Sequence, residues 1–273
     1  MNTRLQSILL HVVLTVIGLV TIAPLLWMVG ASLMPVGEAA SYPPRFIPSR
    51  PTFEHYVALF TRLDLARNFF NSVFITVTAT IVSVIVNAMA GYAFAKLEFG
   101  GRDRLFKFLL AGMMIPAQVG MLPLFLLLKN MGLVNTYLGI MIPSFASIFA
   151  IFLVRQYVLS VPDELLDAAR MDGAGEFRIF WTIVLPIVRP ILVTLAAFTF
   201  ISAWNDFMWP LIILSDEAKY TLPVALANLA GEHVQDTELM MAGAMITIAP
   251  VLIVFLFFQR VYYQGIMAGG VKG

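Results

Sequence analysis

The sequence predicts an all-α polytopic membrane protein with six transmembrane helices, and its composition and the placement of its charges carry that prediction. Hydrophobic residues make up 60% of the 273 residues and charged residues only 12%, whereas soluble domains carry about 25% charged residues. The mean hydropathy of +0.89 agrees. The few charges also separate long uncharged stretches, each near or above the ~20 residues that a helix needs to cross the hydrocarbon core.

Six stretches of the chain meet that length. The first contains no Asp, Glu, Lys or Arg and is too long for the core of a signal peptide, so we expect it to be retained. The fifth contains a single charge, Asp206, and the other five contain none. We therefore predict membrane helices over residues 8–34, 69–95, 108–128, 130–154, 190–215 and 239–259.

The Lys and Arg residues predict the orientation, because cytoplasmic loops are enriched in them. With the N-terminus inside, eleven of the 17 fall in cytoplasmic segments. Four of the remaining six lie in one long outer loop, residues 35–68. Both termini are therefore predicted to be cytoplasmic, and the outer loops 35–68 and 216–238 are long enough to bind a partner.

The cytoplasmic segment 155–189 is longer than a compact bundle needs. Within it, Ser160 can cap a helix, Pro162 suits a first turn, and Asp163 favours the positive end of the helix dipole. Gly173 is a natural stop. We therefore predict a short helix with an apolar stripe of Leu165, Leu166 and Ala169. On periodicity alone, this helix can be an amphipathic connector that caps the bundle.

The same segment carries a motif with defined spacing. It resembles the EAA loop of binding-protein-dependent ABC importer permeases, and the matching residues are Asp167, Ala168, Ala169, Gly173, Ile183, Leu185 and Pro186. Asp167 stands where the family usually has Glu, which keeps the charge. The string PDELLDAARMDGA is similar to the carbohydrate branch with maltose-type permeases. Further similarity lies at residues 91–95, 203–207, 221–223 and 268–273.

This resemblance implies a fold like that of type I ABC importer permeases, with residues 1–273 as a single permease domain. In that family the short helix is a cytoplasmic coupling helix that docks in a cleft on an ATPase subunit. The implied coupling residues are Asp167, Ala168, Ala169, Arg170, Asp172, Gly173, Ile183, Leu185 and Pro186, with Arg170 and Asp167 able to pair with charges on the rim of the cleft. The family also suggests that the cytoplasmic tail, residues 263–273, contacts the ATPase through Gly269, Gly270 and Lys272, although simple disorder explains the tail equally well.

The resemblance further implies the assembly. The partners would be a homologous second permease, two ATPase subunits, an extracytoplasmic solute-binding protein, a small-molecule solute and the lipid bilayer of a bacterial inner membrane. The chain itself would hold no cofactor, because ATP and Mg²⁺ would bind the partner ATPase. The solute would be a di- or oligosaccharide, with glycerol phosphate or a polyol as alternatives.

The membrane half offers one polar cluster. A carboxylate at membrane depth costs roughly 2.5–3.5 kcal/mol on insertion scales, so Asp206 should face a bundle interior or a wet cavity. Trp204, Asn205, Asp206 and Trp209 are candidates for the translocation path, since Asn and Asp can hydrogen-bond sugar hydroxyls and Trp can stack on a sugar. Alternatively, the Trp residues belong to the interfacial belt and Asp206 binds helix ends or a neighbouring subunit.

Several functions lack the residues they would need. The sequence has no Walker A motif, no H-E-x-x-H and no cysteine, so we expect no ATPase site, no metal site and no catalytic residues in this chain. An ion-coupled secondary transporter remains the alternative, and it predicts several intramembrane acids and an inverted repeat. Asp206 is the single acid within the predicted spans. The small net charge of +1 argues against a nucleic-acid partner.

Overall fold

The computed structural model describes residues 3–43, 45–62, 64–232 and 236–270. Over these residues the chain forms helices and no strands, which confirms the all-α prediction. The α-helices are α1 (Thr3–Ala31), α2 (Glu54–Arg62), α3 (Leu65–Lys96), α4 (Arg102–Gly112), α5 (Ala117–Asn130), α6 (Tyr137–Phe145), α7 (Ile148–Val158), α8 (Asp163–Met171), α9 (Glu176–Ile179), α10 (Leu185–Ile187), α11 (Arg189–Trp204), α12 (Met208–Ile213), α13 (Leu222–Glu232) and α14 (Thr237–Gly270).

Four described helical stretches are long and apolar enough to cross a membrane, and there are up to six spans if each of two bent helix pairs counts as one. The four are Gln6–Ala31, Leu65–Lys96, Tyr137–Val158 and Thr237–Phe257. The bent pairs are Arg102–Gly112 with Ala117–Asn130 and Glu176–Ile187 with Arg189–Trp204. The predicted number of six therefore requires both bent pairs to be spans.

The bends account for the main differences from the predicted boundaries. The stretch 108–128 is not one straight helix, because α4 and α5 meet at an angle of 105°. Pro116 precedes α5, and proline lacks the N–H that would continue the helix and disfavours helical geometry in the residue before it. The stretch 190–215 likewise stops at Trp204, and the short helix α12 follows it.

The fourth and sixth stretches also differ in extent. The fourth begins at Tyr137 rather than at residue 130, and it is interrupted where Ala146 and Ser147 adopt extended backbone angles between α6 and α7. The sixth helix, α14, continues to Gly270, well beyond residue 259. Hydropathy marks the apolar length of a helix, whereas its ends depend on capping and on packing.

The chain divides into two compact units, Met1–Arg67 with Ala225–Pro250 and Asn68–Val224 with Val251–Gly273. In the first unit, Glu238 is completely buried, and its Oε1 accepts a hydrogen bond of 2.7 Å from the Ala39 N–H. His55 is also buried, and its Nε2 atom lies 2.8 Å from the Met34 carbonyl oxygen. These polar contacts fix the segment that follows α1.

The second unit is built around α3, which contributes to three apolar clusters among the described residues. The largest cluster joins α3 to α7, α8 and the helices that follow α8. A second cluster joins the other half of α3 to α5, α6 and α12. The unit therefore connects the predicted cytoplasmic helix with the membrane helices through one continuous helix.

Candidate functional site

The predicted short helix is present as α8. Pro162 occupies its N-cap position. Ser160 does not cap it, contrary to the prediction, because its hydroxyl donates to the Tyr157 carbonyl at 2.7 Å. The start of α8 is held instead by Lys96, whose Nζ donates to the Val161 carbonyl at 2.6 Å and to Asp163 Oδ1 at 2.7 Å. The hydrogen bond and positive charge of Lys96 hold the pKa of Asp163 below its ordinary value.

The end of α8 is fixed by backbone geometry. Asp172 is the C-cap residue, and Gly173 follows it with φ of +82°, in the left-handed region that glycine tolerates best. The Gly173 N–H donates to the Arg170 carbonyl and the Ala174 N–H to the Ala169 carbonyl, both at 3.0 Å. These two bonds form a Schellman motif, which satisfies carbonyls that the helix end leaves free.

The two sides of α8 differ in burial. Leu166 is completely buried in the cluster that α3, α7 and the following helices share, and Ala169 packs against that cluster. On the outward side, Leu165 is 43% exposed and Met171 is 88% exposed, and Ala168 is exposed as well. The helix therefore carries an outward face of small and apolar side chains that nothing in the described part of the second unit covers.

Arg170 joins α8 to its surroundings. Its Nη1 donates to Asp167 Oδ1 at 2.7 Å, and its Nε donates to Glu176 Oε1 at 2.7 Å. The other oxygen of Glu176 accepts a hydrogen bond from the buried Tyr92 hydroxyl of α3. The hydrogen bonds to Glu176 and Asp167 raise the pKa of Arg170 further. Arg170 and Asp167 are thus paired with each other, whereas the sequence suggested pairing with charges on a partner.

The remaining motif residues follow in a distorted helix. Ile183 and Leu185 pack against the same apolar cluster as Leu166, whereas Pro186 is exposed. A π-helical turn covers Phe180–Val184 and ends two residues before Pro186. Because proline cannot donate to the carbonyl four residues earlier, a widened turn at this point accommodates it. An 82° bend then leads into Arg189–Trp204.

The second unit also contains a partly open cavity of about 650 Å³. Asp206 and Trp209 line it, as do hydroxyl side chains from several helices, namely Ser83, Ser144, Ser147, Thr199 and Ser202. Of the four path residues that the sequence suggested, these two reach the cavity. Trp204 is instead buried between Phe69 and Phe200, and Asn205 is exposed and donates to the Ile201 carbonyl of its own helix.

Asp206 and Trp209 are both fixed by hydrogen bonds. Asp206 Oδ1 accepts from the Trp209 N–H at 3.3 Å, so the carboxylate satisfies a free donor in the first turn of α12. The Trp209 indole N–H donates to the Gly139 carbonyl at 3.2 Å. The indole ring and the carboxylate therefore form a rigid part of the cavity wall.

Asn87 is a structurally important residue that the sequence did not single out. It is completely buried on α3. Its Oδ1 accepts from the Ser147 N–H at 2.9 Å, and its Nδ2 donates to the Phe145 carbonyl at 3.2 Å. Asn87 thus satisfies backbone groups at the interruption between α6 and α7. No local pattern in the sequence indicates this pairing, because the partners of Asn87 are backbone atoms about sixty residues away.

Sequence reasoning also missed the roles of Glu176, Tyr92 and Lys96. Glu176 lies just beyond the expected helix, and Tyr92 and Lys96 lie in and beside a predicted span. The available signal was the four-residue spacing of Tyr92 and Lys96, which places both side chains on one face of a helix.

The predicted contacts of the tail remain expectations. Gly269 and Gly270 form the end of α14, and Lys272 lies outside the described residues. Across the described ranges no group of three or more His, Asp and Glu side chains could hold a metal ion.

Comparisons with known proteins place this architecture in a family. Residues 87–267 match the family model described as binding-protein-dependent transport system inner membrane component. The arabinooligosaccharide transport permease AraQ of Halalkalibacterium halodurans is 38% identical over 100% of this chain and 99% of its own. The lactose transport permease LacG of Rhizobium radiobacter is 32% identical over 100% and 98%.

Solved structures give the same fold. A chain of a bacterial ABC transporter involved in the import of the acidic polysaccharide alginate superposes with a TM-score of 0.82 and 28% identity, covering 94% of this chain and 96% of that one. A chain of the methionine ABC transporter MetNI gives a TM-score of 0.53 at 14% identity over 72% of this chain, which supports the fold alone.

Proposed function

The chain belongs to the family of binding-protein-dependent transport system inner membrane components, and from that premise we propose that it forms half of the translocation path of an ATP-driven importer. A separate ATPase chain, which binds ATP and Mg²⁺, would supply the energy. A homologous permease would form the other half of the path. An extracytoplasmic binding protein would deliver the solute.

The observation that carries this proposal is the two-sided burial of α8. Its inner side is anchored by Leu166 in the largest cluster, while Leu165, Ala168 and Met171 are exposed on its outer side. An exposed apolar patch on a short and well-anchored helix is typical of a protein interface. Small side chains such as Ala168 let a second protein approach closely, so a cleft on an ATPase subunit is a suitable partner surface.

The placement of charges supports the orientation. The cytoplasmic side would contain α8 and both termini, because most Lys and Arg residues lie in those segments. The ATPase would then dock from the cytoplasm and the binding protein from the outside. This arrangement fits a bacterial inner membrane.

The first span supports assembly with another membrane chain. Among the described residues, none of the most apolar window of Gln6–Ala31 is buried. Helices inside a bundle bury part of their surface, and the span Leu65–Lys96 buries 33% of its window. The first span is therefore available to a second permease as well as to lipid.

We propose a neutral di- or oligosaccharide as the solute. Named relatives transport arabinooligosaccharides, lactose and diacetylchitobiose. The cavity offers five hydroxyl side chains and the rings of Phe149, Phe198 and Trp209, which suits hydrogen bonding to sugar hydroxyls and stacking on sugar rings. Asp206 is the one charged side chain among the residues that line it, and no lining cation attracts an anionic solute.

Transport would follow alternating access. Closure of the ATPase pair around ATP would move α8, and the membrane helices attached to α8 would convert the cavity from inward-facing to outward-facing. The docked binding protein would then release its solute into the cavity. Hydrolysis would reset the helices and open the cavity to the cytoplasm.

A pull-down of the tagged native chain in mild detergent, read by mass spectrometry, tests this assembly. The proposal expects recovery of an ATPase with a Walker motif and of a second permease. Leu165→Glu places a charge on the outer face of α8 and should remove the ATPase while retaining the permease. Recovery of the native chain alone in every detergent would contradict the proposal.

A further inference from the structure

We propose that α3 holds both ends of α8 through a polar clamp formed by Lys96 and Tyr92, and that this clamp makes α3 the element that carries motion from α8 to the cavity wall. The transmission role rests on the function proposed above. The clamp itself consists of contacts within this chain and does not depend on the proposed partners.

The first contact of the clamp lies at the start of α8. The Lys96 side chain is only 6% exposed, although it carries a positive charge. It contacts the Val161 carbonyl and the Asp163 carboxylate. A lysine held this way donates two directed hydrogen bonds, both charge-assisted because the donor is an ammonium group, and therefore resists sliding of the helix start along α3.

The second contact lies at the end of α8. Glu176 uses one carboxylate oxygen for the Tyr92 hydroxyl and the other for Arg170 Nε. Arg170 belongs to α8 and Tyr92 to α3, so a single carboxylate bridges the two helices. The Tyr92 ring is buried and lies 5.6 Å from the Phe180 ring, between centroids, which restricts its movement.

The two contacts act on the same face of α3. Tyr92 and Lys96 are four residues apart, and side chains at that spacing are neighbours on a helix. Between the two contacts, the buried Leu166 packs α8 into a cluster that includes Ala88 and Ala95 of α3. With an apolar centre and a polar contact at each end, α8 can neither tilt nor shift without moving α3.

The other part of α3 reaches the cavity. Ile75, Ala79 and Ser83 line it, and they recur every four residues on one face. Lys96 lies thirteen positions after Ser83, which corresponds to about 20 Å along the helix. A rigid helix therefore joins the clamp at one end to the cavity wall at the other.

The test uses the absence of cysteine from the sequence. Spin labels at Glu164→Cys on α8 and Met89→Cys on α3 report the distance between the two helices in the full chain in lipid. Tyr92→Phe removes one hydroxyl, and Lys96→Met removes one charge while keeping an unbranched side chain. The clamp predicts a broader distance distribution in each variant, and broadest when both are combined. An unchanged distribution in the combined variant would overturn it.

Tyr157→Phe is the matched control. Tyr157 packs against the same cluster as Tyr92, but its hydroxyl makes no hydrogen bond to another described residue. This variant should leave the distances unchanged. Broadening equal to that of Tyr92→Phe would contradict a specific role for the Tyr92 hydroxyl.

The role of α3 in transmitting motion is tested in the reconstituted complex. The measured quantity is the ratio of solute molecules imported to ATP molecules hydrolysed. We expect that ratio to fall by at least about tenfold in the combined variant, because the loss of even one charge-assisted hydrogen bond shifts an equilibrium by about that factor, while the ATPase still copurifies. Lys96→Arg keeps the charge and should retain most of the ratio. Broadened distances with an unchanged ratio would overturn the transmission role. Failure of any ATPase to bind the native chain would instead contradict the proposed function, and the label distances would still decide the clamp.

Discussion

The Oδ1 atom of Asn87 accepts a hydrogen bond from the Ser147 N–H at 2.9 Å, and this contact joins α3 to the interruption of the next long span. The Nδ2 of Asn87 donates to the Phe145 carbonyl on the other side of the same interruption. Backbone groups that a broken helix frees at membrane depth must find partners within the protein. Asn87 supplies them beside the wall of the cavity.

Asn87→Ala should therefore destabilise the protein. It leaves the part-buried Ser147 N–H and Phe145 carbonyl without their partner, and a fully buried unsatisfied group costs about 1–3 kcal/mol. We expect a clear fall in the melting temperature of the purified chain in detergent. Asn130→Ala is the control because Asn130 is exposed, and equal melting temperatures for the two variants would contradict this role.

Substitutions of the neighbouring residues Leu165 and Leu166 on α8 should have different effects on folding stability and on ATPase binding. Leu166→Ala removes a completely buried side chain and should cost about 2–5 kcal/mol of folding free energy. Leu165→Ala alters an exposed side chain and should leave the melting temperature nearly unchanged while weakening binding of the ATPase. The measurements are thermal unfolding and ATPase recovery in the pull-down. The reverse pattern would mean that α8 faces the other way.

Gly173 should require a residue that tolerates positive φ. Added Cβ atoms at Gly173 meet no atom within 4 Å, so a substitution acts through the backbone, where the left-handed conformation costs roughly 1–2 kcal/mol for ordinary L-residues. Gly173→Val should abolish transport while membrane insertion continues. Gly173→Asn should retain transport, because Asn adopts this conformation more readily. Normal uptake by Gly173→Val would contradict a role for the ending of α8.

We expect Asp206 to act as a hydrogen-bond acceptor for the Trp209 N–H rather than through its negative charge. Asp206→Asn keeps an oxygen that can accept from the Trp209 N–H and should preserve both assembly and uptake of a neutral sugar. Asp206→Ala removes the carboxylate that accepts from the Trp209 N–H in the first turn of α12, and loss of such a side-chain acceptor at a helix start typically costs about 1 kcal/mol. Uptake assays and melting temperatures distinguish the two. Loss of uptake in Asp206→Asn alone would indicate that the negative charge acts on the solute or on a partner.

The contact between Lys96 and Asp163 should be insensitive to pH near neutrality. The pKa of Asp163 is lowered in the folded protein, so its stabilising effect is complete above the unfolded pKa and is lost as the pH falls through the folded pKa. The difference in melting temperature between the native chain and Asp163→Asn should stay constant from about pH 8 to about pH 5 and close below about pH 4. Asp172→Asn, at an exposed position, is the control, and a difference that closes near pH 7 would contradict the assignment.

The sequence predicted the helical class, the four long apolar spans and the position of α8, because uncharged length and glycine or proline signals are local properties. It predicted less about the bends. Pro116 and Pro190 were visible as proline positions, but the angles of 105° and 82° depend on tertiary packing. The interruption at Ala146 and Ser147 has no proline or glycine at the break itself, and it depends on Asn87 from another helix.

The candidate site divides in the same way. Motif spacing identified Gly173, and its positive φ follows from a helix ending. The partners of Arg170 were not predicted, because the contact with Glu176 requires the turn after Gly173 and the contact of Glu176 with Tyr92 requires a separate helix. Which residues reach the cavity likewise depended on the break after Trp204, which turns Asp206 and Trp209 towards it and leaves Asn205 outside.

The most direct test of the account is solute uptake by proteoliposomes that contain this chain with the permease and ATPase that copurify with it, and with the binding protein outside. The account predicts that uptake of a labelled neutral oligosaccharide requires ATP on the side of the ATPase and continues when ionophores collapse all ion gradients. Uptake that proceeds without ATP, follows an imposed ion gradient and stops on addition of ionophore would contradict an ATP-driven importer and establish ion-coupled transport instead.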